Sequence, residues 1–314
     1  MKLGIDMGGM SIKMGLVNEE NKIIGRITIP TDLTVPYQVL VERMADAVQQ
    51  MLENAGMTLE QCGGIGIGSP GTIDAKQGVI LYSNNFGWEN VPIVEELKKH
   101  LDTRIEIAND ADAAALGEVC AGAAEGAENA VLLTLGTGVG SGVILDKKIF
   151  RGAMPGGCEL GHLSIRYDGI RCTCGRKGCL EAYASASALL RIAREKAAEH
   201  PESIMNEMCG NDLEQMNGKI PFDAAKAGDE AGMETVKEYE GYLACGIANV
   251  INTFRPEKVI LGGGVAAQKD NLTAPLKDLV KDMCFGGSHG HIADIVTSVL
   301  GNDAGIIGAA NLVV

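Results

Sequence analysis

VLLTLGTGVGSGVILDKKIFRG, Val131 to Gly152, reads as an apolar strand, a glycine turn at Gly136, Gly138 and Gly140, and a second apolar strand. A charged turn at Asp146 to Lys148 and a third strand follow. The same plan stands at the start of the chain. Leu3 to Asp6 is a short apolar strand ending in a carboxylate, Gly8 and Gly9 turn the chain, and Ile12 to Val17 returns. Asn18 to Lys22 supplies turn chemistry before a third strand, Ile23 to Ile29. A plain hairpin would explain Gly8 and Gly9 equally well, but two copies of one plan imply a duplicated fold. Each half then carries a hairpin whose glycines let backbone N–H groups face phosphate oxygens. Asp6, at a strand end, can hold a magnesium ion through water. A dinucleotide-binding reading of Gly138-x-Gly140 fails, because the following segment is β-like where a helix should begin.

Composition sets the bounds. With 314 residues, 46% hydrophobic and 22% charged, the chain has room for two domains and a substantial core. A net charge of -14 argues against a nucleic-acid partner, which requires a basic face. No apolar run reaches the ~20 residues of a membrane-spanning helix. The strand pattern starts at Leu3 with no signal peptide ahead of it, so a cytoplasmic protein is expected.

Between the hairpins, Tyr37 to Asn54 carries Leu40, Met44, Val48, Met51 and Leu52 at helical spacing, closed by Gly56. Gly64 to Gly68 is a buried strand running into the turn Ser69-Pro70-Gly71, and Tyr82 to Phe86 is a polar loop holding Asn84 and Asn85. Arg104 to Ala108 is a strand leading to Asn109-Asp110 and an alanine-rich helix, Ala111 to Ala121. Asp110 is therefore either an N-cap or a carboxylate at the strand ends where ligands gather in open α/β sheets. Further on, Leu180 to Ala198 is a helix, 200 to 235 is short helices and loops, and Glu234 to Thr253 is a long helix. A strand, Glu257 to Leu261, opens onto Gly262-Gly263-Gly264, and Asp303 to Ala310 is a small-residue helix packing back on the first lobe. His289 and His291 are a pair too small to make a metal site alone.

The densest chemistry lies in PGGCELGHLSIRYDGIRCTCGRKGCLEAYASAS, Pro155 to Ser187. Cys172, Cys174 and Cys179 follow His162, and three thiolates with one imidazole form the donor set of a structural zinc site. Gly175 and Gly178 let the backbone turn tightly enough for the sulfurs to converge. Glu159 and Glu181 flank the ligands, so a metal holding His162 and Cys179 would also fix both acids toward a polyhydroxylated substrate. The other six cysteines, including Cys62 and Cys284, are scattered and do not suggest disulfides.

Glu159-Leu-Gly-His162 followed by Cys172-x-Cys174-Gly-x-x-Gly-Cys179-Leu-Glu181 closely resembles the signature of the ROK family of bacterial sugar kinases and sugar-responsive repressors. The other motifs extend the resemblance over nearly the whole chain. It implies a two-lobed actin/hexokinase-like (ribonuclease H-like) α/β fold with a zinc loop. Residues 1–112, completed by a helix in 301–314, would form the small lobe, and 113–300 the large one. Nucleotide and sugar would lie in the cleft, closed against water.

The resemblance also implies phosphorylation of a hexose by ATP with Mg2+, glucose to glucose 6-phosphate first among the choices, and Asp110 as general base. Gly71, Asn84, Asn109, Glu159, His162 and Glu181 would bind sugar, with His162 also on zinc. Asp6, Gly8, Gly9, Met10, Lys13, Gly136, Thr137, Gly138, Gly262, Gly263 and Gly264 would line the nucleotide. N-acetylmannosamine, N-acetylglucosamine, mannose or allose could replace glucose, polyphosphate could replace ATP, and a homodimer is implied. Two positions depart from the pattern: Met10 stands where threonine is usual, and Ala108 where glutamate is usual. Met10 is expected to pack its thioether near Ile12. A repressor would carry an N-terminal helix-turn-helix, for which no room exists before Leu3, and a non-catalytic sugar sensor is a further alternative.

Overall fold

Alternating apolar residues at the chain's start fold into three strands, β1 (Lys2–Met7), β2 (Ser11–Val17) and β3 (Ile23–Pro30), paired antiparallel in a meander. The structure is a computed structural model that describes residues 1–287, 289 and 292–313. Of the histidine pair, His291 lies outside the described residues. After β3 come α1 (Tyr37–Asn54), β4 (Ile65–Ser69), β5 (Thr72–Asp74), β6 (Val79–Ser83), β7 (Trp88–Val91), α2 (Ile93–Lys98), β8 (Ile105–Asn109) and α3 (Asp110–Ala121). The second hairpin is β9 (Ala130–Leu135) and β10 (Val139–Leu145), followed by a two-residue β11 (Lys148–Ile149). Then follow α4 (Glu181–Ala184), α5 (Ala186–Glu199), α6 (Ile204–Met208), α7 (Ile220–Lys226), α8 (Glu230–Phe254), β12 (Lys258–Gly262), α9 (Asp270–Met283), β13 (Asp294–Thr297) and α10 (Ala304–Ala310).

Two five-stranded sheets share one plan. Their orders are β3-β2-β1-β4-β8 and β11-β10-β9-β12-β13, a meander followed by two later strands on its far side. In the first sheet β1, β4 and β8 run parallel, as do β12 and β13 in the second. A small antiparallel sheet, β5-β6-β7, accompanies the first. The chain divides into two units, 1–132 with 142–158 and 299–314, and 133–141 with 159–298, the division falling inside β9 and β10.

In the first unit, α1 buries the stripe Leu40, Met44, Val48, Met51 and Leu52 into a core shared with β1, β2 and β4. The helix stops where Gly56 adopts positive φ and Met57 N–H returns to the Leu52 carbonyl. The C-terminal helix α10 sits almost backbone to backbone on the sheet and on α3. A Cβ on Gly66 would lie 1.7 Å from the Ala309 carbonyl oxygen, and one on Gly308 would lie 1.6 Å from that of Ala113. Glycine is required at both, because any side chain would force the elements apart. The fully buried Glu118 carboxylate accepts the N–H groups of Val299, Leu300 and Ala123, which ties the segment entering α10 to α3.

In the second unit, α5, α6, α7 and the start of α8 close a core of Ala193, Ala197, Met205, Cys209, Ile220 and Ala224. Two helix boundaries differ from the sequence reading. The stretch expected as one helix from Leu180 breaks at Ser185, whose extended backbone and side chain cap α5 by accepting the Ala188 N–H. The long helix starts four residues earlier than Glu234, because Asp229 caps it at the Gly232 N–H.

Candidate active site and metal centre

The β1–β2 turn is closed by Gly8 N–H donating to the Ser11 carbonyl at 3.0 Å. That amide is therefore engaged within the turn. Thr31 supplies a lock that the sequence did not announce: its hydroxyl donates to the Gly8 carbonyl at 2.6 Å and its N–H to the Met10 carbonyl. Met10 itself is 90% exposed. The expectation that its thioether packs near Ile12 is wrong, because Met10 stands in solvent whereas Ile12 is fully buried in the core. Lys13 Nζ lies 3.9 Å from Asp6 Oδ2. The Asp6 carboxyl is raised above the usual carboxylate range, chiefly by burial; Lys13 opposes this and the Asp110 charge adds to it.

Asn109 ends β8 and caps α3, accepting the Ala111 N–H at 2.9 Å while its amide donates to the Gly71 carbonyl at 3.1 Å. Gly71 is at φ +115°, and a Cβ there would meet the Tyr82 carbonyl at 2.2 Å. With Asn109 as the cap, Asp110 is the first residue of the helix, its Oδ1 also accepting the Ala111 N–H at 2.9 Å. Burial pushes the Asp110 carboxyl up, and the Ala111 amide beneath it pulls it partly back. Asn84 lies exposed on the loop after β6, its Oδ1 facing the Tyr82 hydroxyl at 3.4 Å. Asp6, Asn84, Asn109 and Asp110 all belong to the first unit.

The second unit holds the metal-type cluster. The donor atoms of His162, Cys172, Cys174 and Cys179 lie within 4.8 Å of one another. Cys174 Sγ and Cys179 Sγ are 3.6 Å apart, and Cys172 Sγ is 3.7 Å from His162 Nδ1. A tetrahedral zinc with Zn–S of about 2.3 Å and Zn–N of about 2.0 Å places sulfurs roughly 3.8 Å apart and S–N pairs roughly 3.5 Å apart, so the donors fit. Burial and the neighbouring sulfurs push Cys179 up to about 12, whereas the Arg176 amide lowers Cys174. A divalent cation among the sulfurs would offset the repulsion between thiolates.

Short backbone bonds shape this loop. Cys172 N–H meets the Arg176 carbonyl at 2.8 Å, and Gly178 N–H meets that of Ile170 at 2.8 Å. Gly178 cannot be replaced, since at φ +79° a Cβ would lie 1.6 Å from the Arg166 carbonyl.

Two further features were invisible in the sequence. Glu181 Oε2 accepts the Val139 N–H at 3.0 Å, and Oε1 faces the Thr173 hydroxyl at 3.1 Å and the Cys172 thiol at 3.4 Å. Buried Ser141 accepts the Leu160 N–H at 2.9 Å, fixing the short helix Leu160–His162 that follows exposed Glu159. Gly138 lies against the Glu181 carboxylate, and Gly263, at φ +81°, sits against the backbone of Leu135. Both glycine turns of this unit therefore converge on the end of β9.

The duplicated sheet order with a hairpin turn in each copy defines an actin/hexokinase-like α/β protein. The chain belongs to the ROK family, whose family model matches residues 2–314. It is 36% identical over 312 residues to the glucokinase of Thermotoga maritima, covering 99% of this chain and 96% of that protein. The crystal structure of a ROK family glucokinase from Streptomyces griseus in complex with glucose and AMPPNP superposes with a TM-score of 0.79. Its identity is 31%, over 99% of this chain and 98% of that one. A xylose repressor of Caldicellulosiruptor bescii is 29% identical over 283 residues, covering 90% of this chain and 70% of the repressor. No helix among the described residues is long and apolar enough to cross a membrane.

Proposed function

We propose that this protein is an ATP-dependent hexose kinase that phosphorylates glucose at its 6-hydroxyl, with Asp110 as the general base. The observation that carries the reading is the Asp110 carboxylate, desolvated at the C-terminal end of β8 and anchored beside a doubly held Asn109. Asp110 accepts the proton as the hydroxyl oxygen attacks the γ-phosphorus, and the bond from phosphorus to the bridging oxygen of ADP breaks. Because phosphoryl transfer depends mainly on positioning and charge stabilisation, the remaining residues hold and neutralise.

Asn84, Asn109, Gly71, Glu159, His162 and Glu181 read the sugar hydroxyls. His162 has its Nδ1 among the sulfurs, which leaves Nε2 for a hydroxyl. His162, Cys172, Cys174 and Cys179 would hold zinc, which would supply rigidity to these acids. The turns at Gly8 to Met10, Gly136 to Gly138 and Gly262 to Gly264 take the nucleotide, with Lys13 beside it. Asp6 would hold Mg2+, which neutralises phosphate charge.

A panel of hexoses, including N-acetylmannosamine, N-acetylglucosamine, mannose and allose, assayed with ATP and with polyphosphate, tests the reading. Glucose with ATP should give the highest kcat/KM. Sugar binding without turnover on any member would overturn it in favour of a sugar sensor, the reading that the similarity to xylose repressors supports.

A further inference from the structure

The segment that leaves the zinc-type loop grips the β9–β10 turn at three successive points. Glu181 Oε2 accepts the Val139 N–H, Ala186 N–H donates to the Gly136 carbonyl at 2.8 Å, and the Ser187 hydroxyl donates to the Thr137 carbonyl at 2.9 Å. Gly138 has no side chain to hold the carboxylate off: a Cβ there would sit 2.3 Å from Glu181 Oε2. On its other side the same carboxylate faces Thr173 and Cys172, one residue apart in the loop that carries the sulfurs. All of these groups lie within one unit.

We infer that Glu181 is a positioning residue that couples the metal loop to the phosphate-type turn, so that the state of the loop sets affinity for the phosphoryl donor as well as for the sugar. This deepens the kinase reading, on which the role of the turn rests. A carboxylate has roughly four acceptor sites, so these three engagements leave room for a hydroxyl. The Thr173 hydroxyl holds Oε1, which keeps Oε2 aimed at Val139. A loop that loses its order would release Oε1 and with it the backbone contact that aims the acid at Val139.

Thr173 is exposed, so Thr173→Val can remove the hydroxyl without disturbing a core, and Thr173→Ser restores it. Zinc content, amide hydrogen exchange over 136–141, and KM for ATP and hexose are measured on wild type and both variants. Thr173→Val should keep wild-type zinc content, exchange faster over 136–141, and raise KM for ATP roughly threefold to tenfold, with hexose KM rising beside it because Glu181 also reads the sugar. Thr173→Ser should return both readouts to wild type. Wild-type exchange in Thr173→Val, a KM for ATP that stays put, or loss of zinc would overturn the inference. The exchange measurement needs no turnover. Faster exchange in a chain that phosphorylates no hexose would keep the coupling and reject the kinase reading.

Discussion

The Asn109 amide donates to the Gly71 carbonyl at 3.1 Å while the other end of the same side chain caps α3, so the residue preceding Asp110 is fixed at both ends. Asp110 inherits that fixed position. Asp110→Asn keeps the size and most of the hydrogen bonding but accepts no proton, and should cut turnover by ~100-fold or more with sugar affinity retained. Calorimetric binding beside single-turnover kinetics separates the two effects. Near-wild-type turnover would show that another carboxylate is the base.

The same geometry sets a pH dependence. Burial raises the Asp110 carboxyl, so it takes up its proton at a higher pH than an exposed aspartate does. Since only the deprotonated form serves as base, kcat/KM should fall as pH drops through that raised value. The acid limb belongs above the usual aspartate range near ~3.9. A pH–rate profile flat down to that range would contradict the assignment.

The metal centre makes a stoichiometric claim. Donors spaced as in His162, Cys172, Cys174 and Cys179 should retain one zinc per chain through purification. Chelation should lower the melting temperature and weaken hexose binding together, because the loop that positions Glu159 and Glu181 would lose its anchor. Elemental analysis showing no zinc in active protein would exclude the site.

Local patterns made much of this legible in the sequence. The two glycine hairpins foretold the duplicated sheets, the apolar stripe from Leu40 to Leu52 foretold α1, and ligand spacing foretold the convergence of three sulfurs and an imidazole. What stayed hidden lies in contacts between distant residues with no periodic signature. Glu181 reaches a backbone amide at Val139, and Thr31 locks the turn at Gly8. Helix boundaries moved for a related reason, since Ser185 and Asp229 act as caps only once the chain direction is known. Met10 was misread because alternation in β2 gives the side of the strand but not the orientation of the turn before it.

Glu240 offers a prediction away from the active site. It is 5% exposed within α8, its Oε1 has no hydrogen-bond partner among the described residues, and burial pushes its carboxyl up to about 7. The folded chain therefore binds this proton more tightly than the unfolded one, whose glutamate titrates near 4.5. The contribution to stability is full below that lower value and is lost as pH rises through about 7. Glu240→Gln removes the ionisation, so the variant should exceed wild type in stability by on the order of 1–3 kcal/mol at pH ~8 and match it at pH ~4. Denaturant melts at both values check this; an unchanged gap would mean that folding does not raise the Glu240 carboxyl.

Met10 tests how the first hairpin holds the phosphoryl donor. Its side chain is almost wholly in solvent, so Met10→Thr removes no packing and should leave stability within about 0.5 kcal/mol of wild type. The turn is already closed by Gly8 N–H on the Ser11 carbonyl and by the Thr31 hydroxyl on the Gly8 carbonyl, so threonine at position 10 need not support the fold. Its hydroxyl would be available to a phosphate oxygen, and a hydrogen bond to a charged acceptor contributes at most ~1.5–3 kcal/mol. KM for ATP should therefore fall, by up to about tenfold at the lower end of that range, while KM for the sugar stays put. Steady-state kinetics on the variant, with a thermal melt beside it, decide the matter. An unchanged ATP constant at unchanged stability would show that this turn does not touch the phosphates, leaving donor binding to the turns at Gly136 to Gly138 and Gly262 to Gly264.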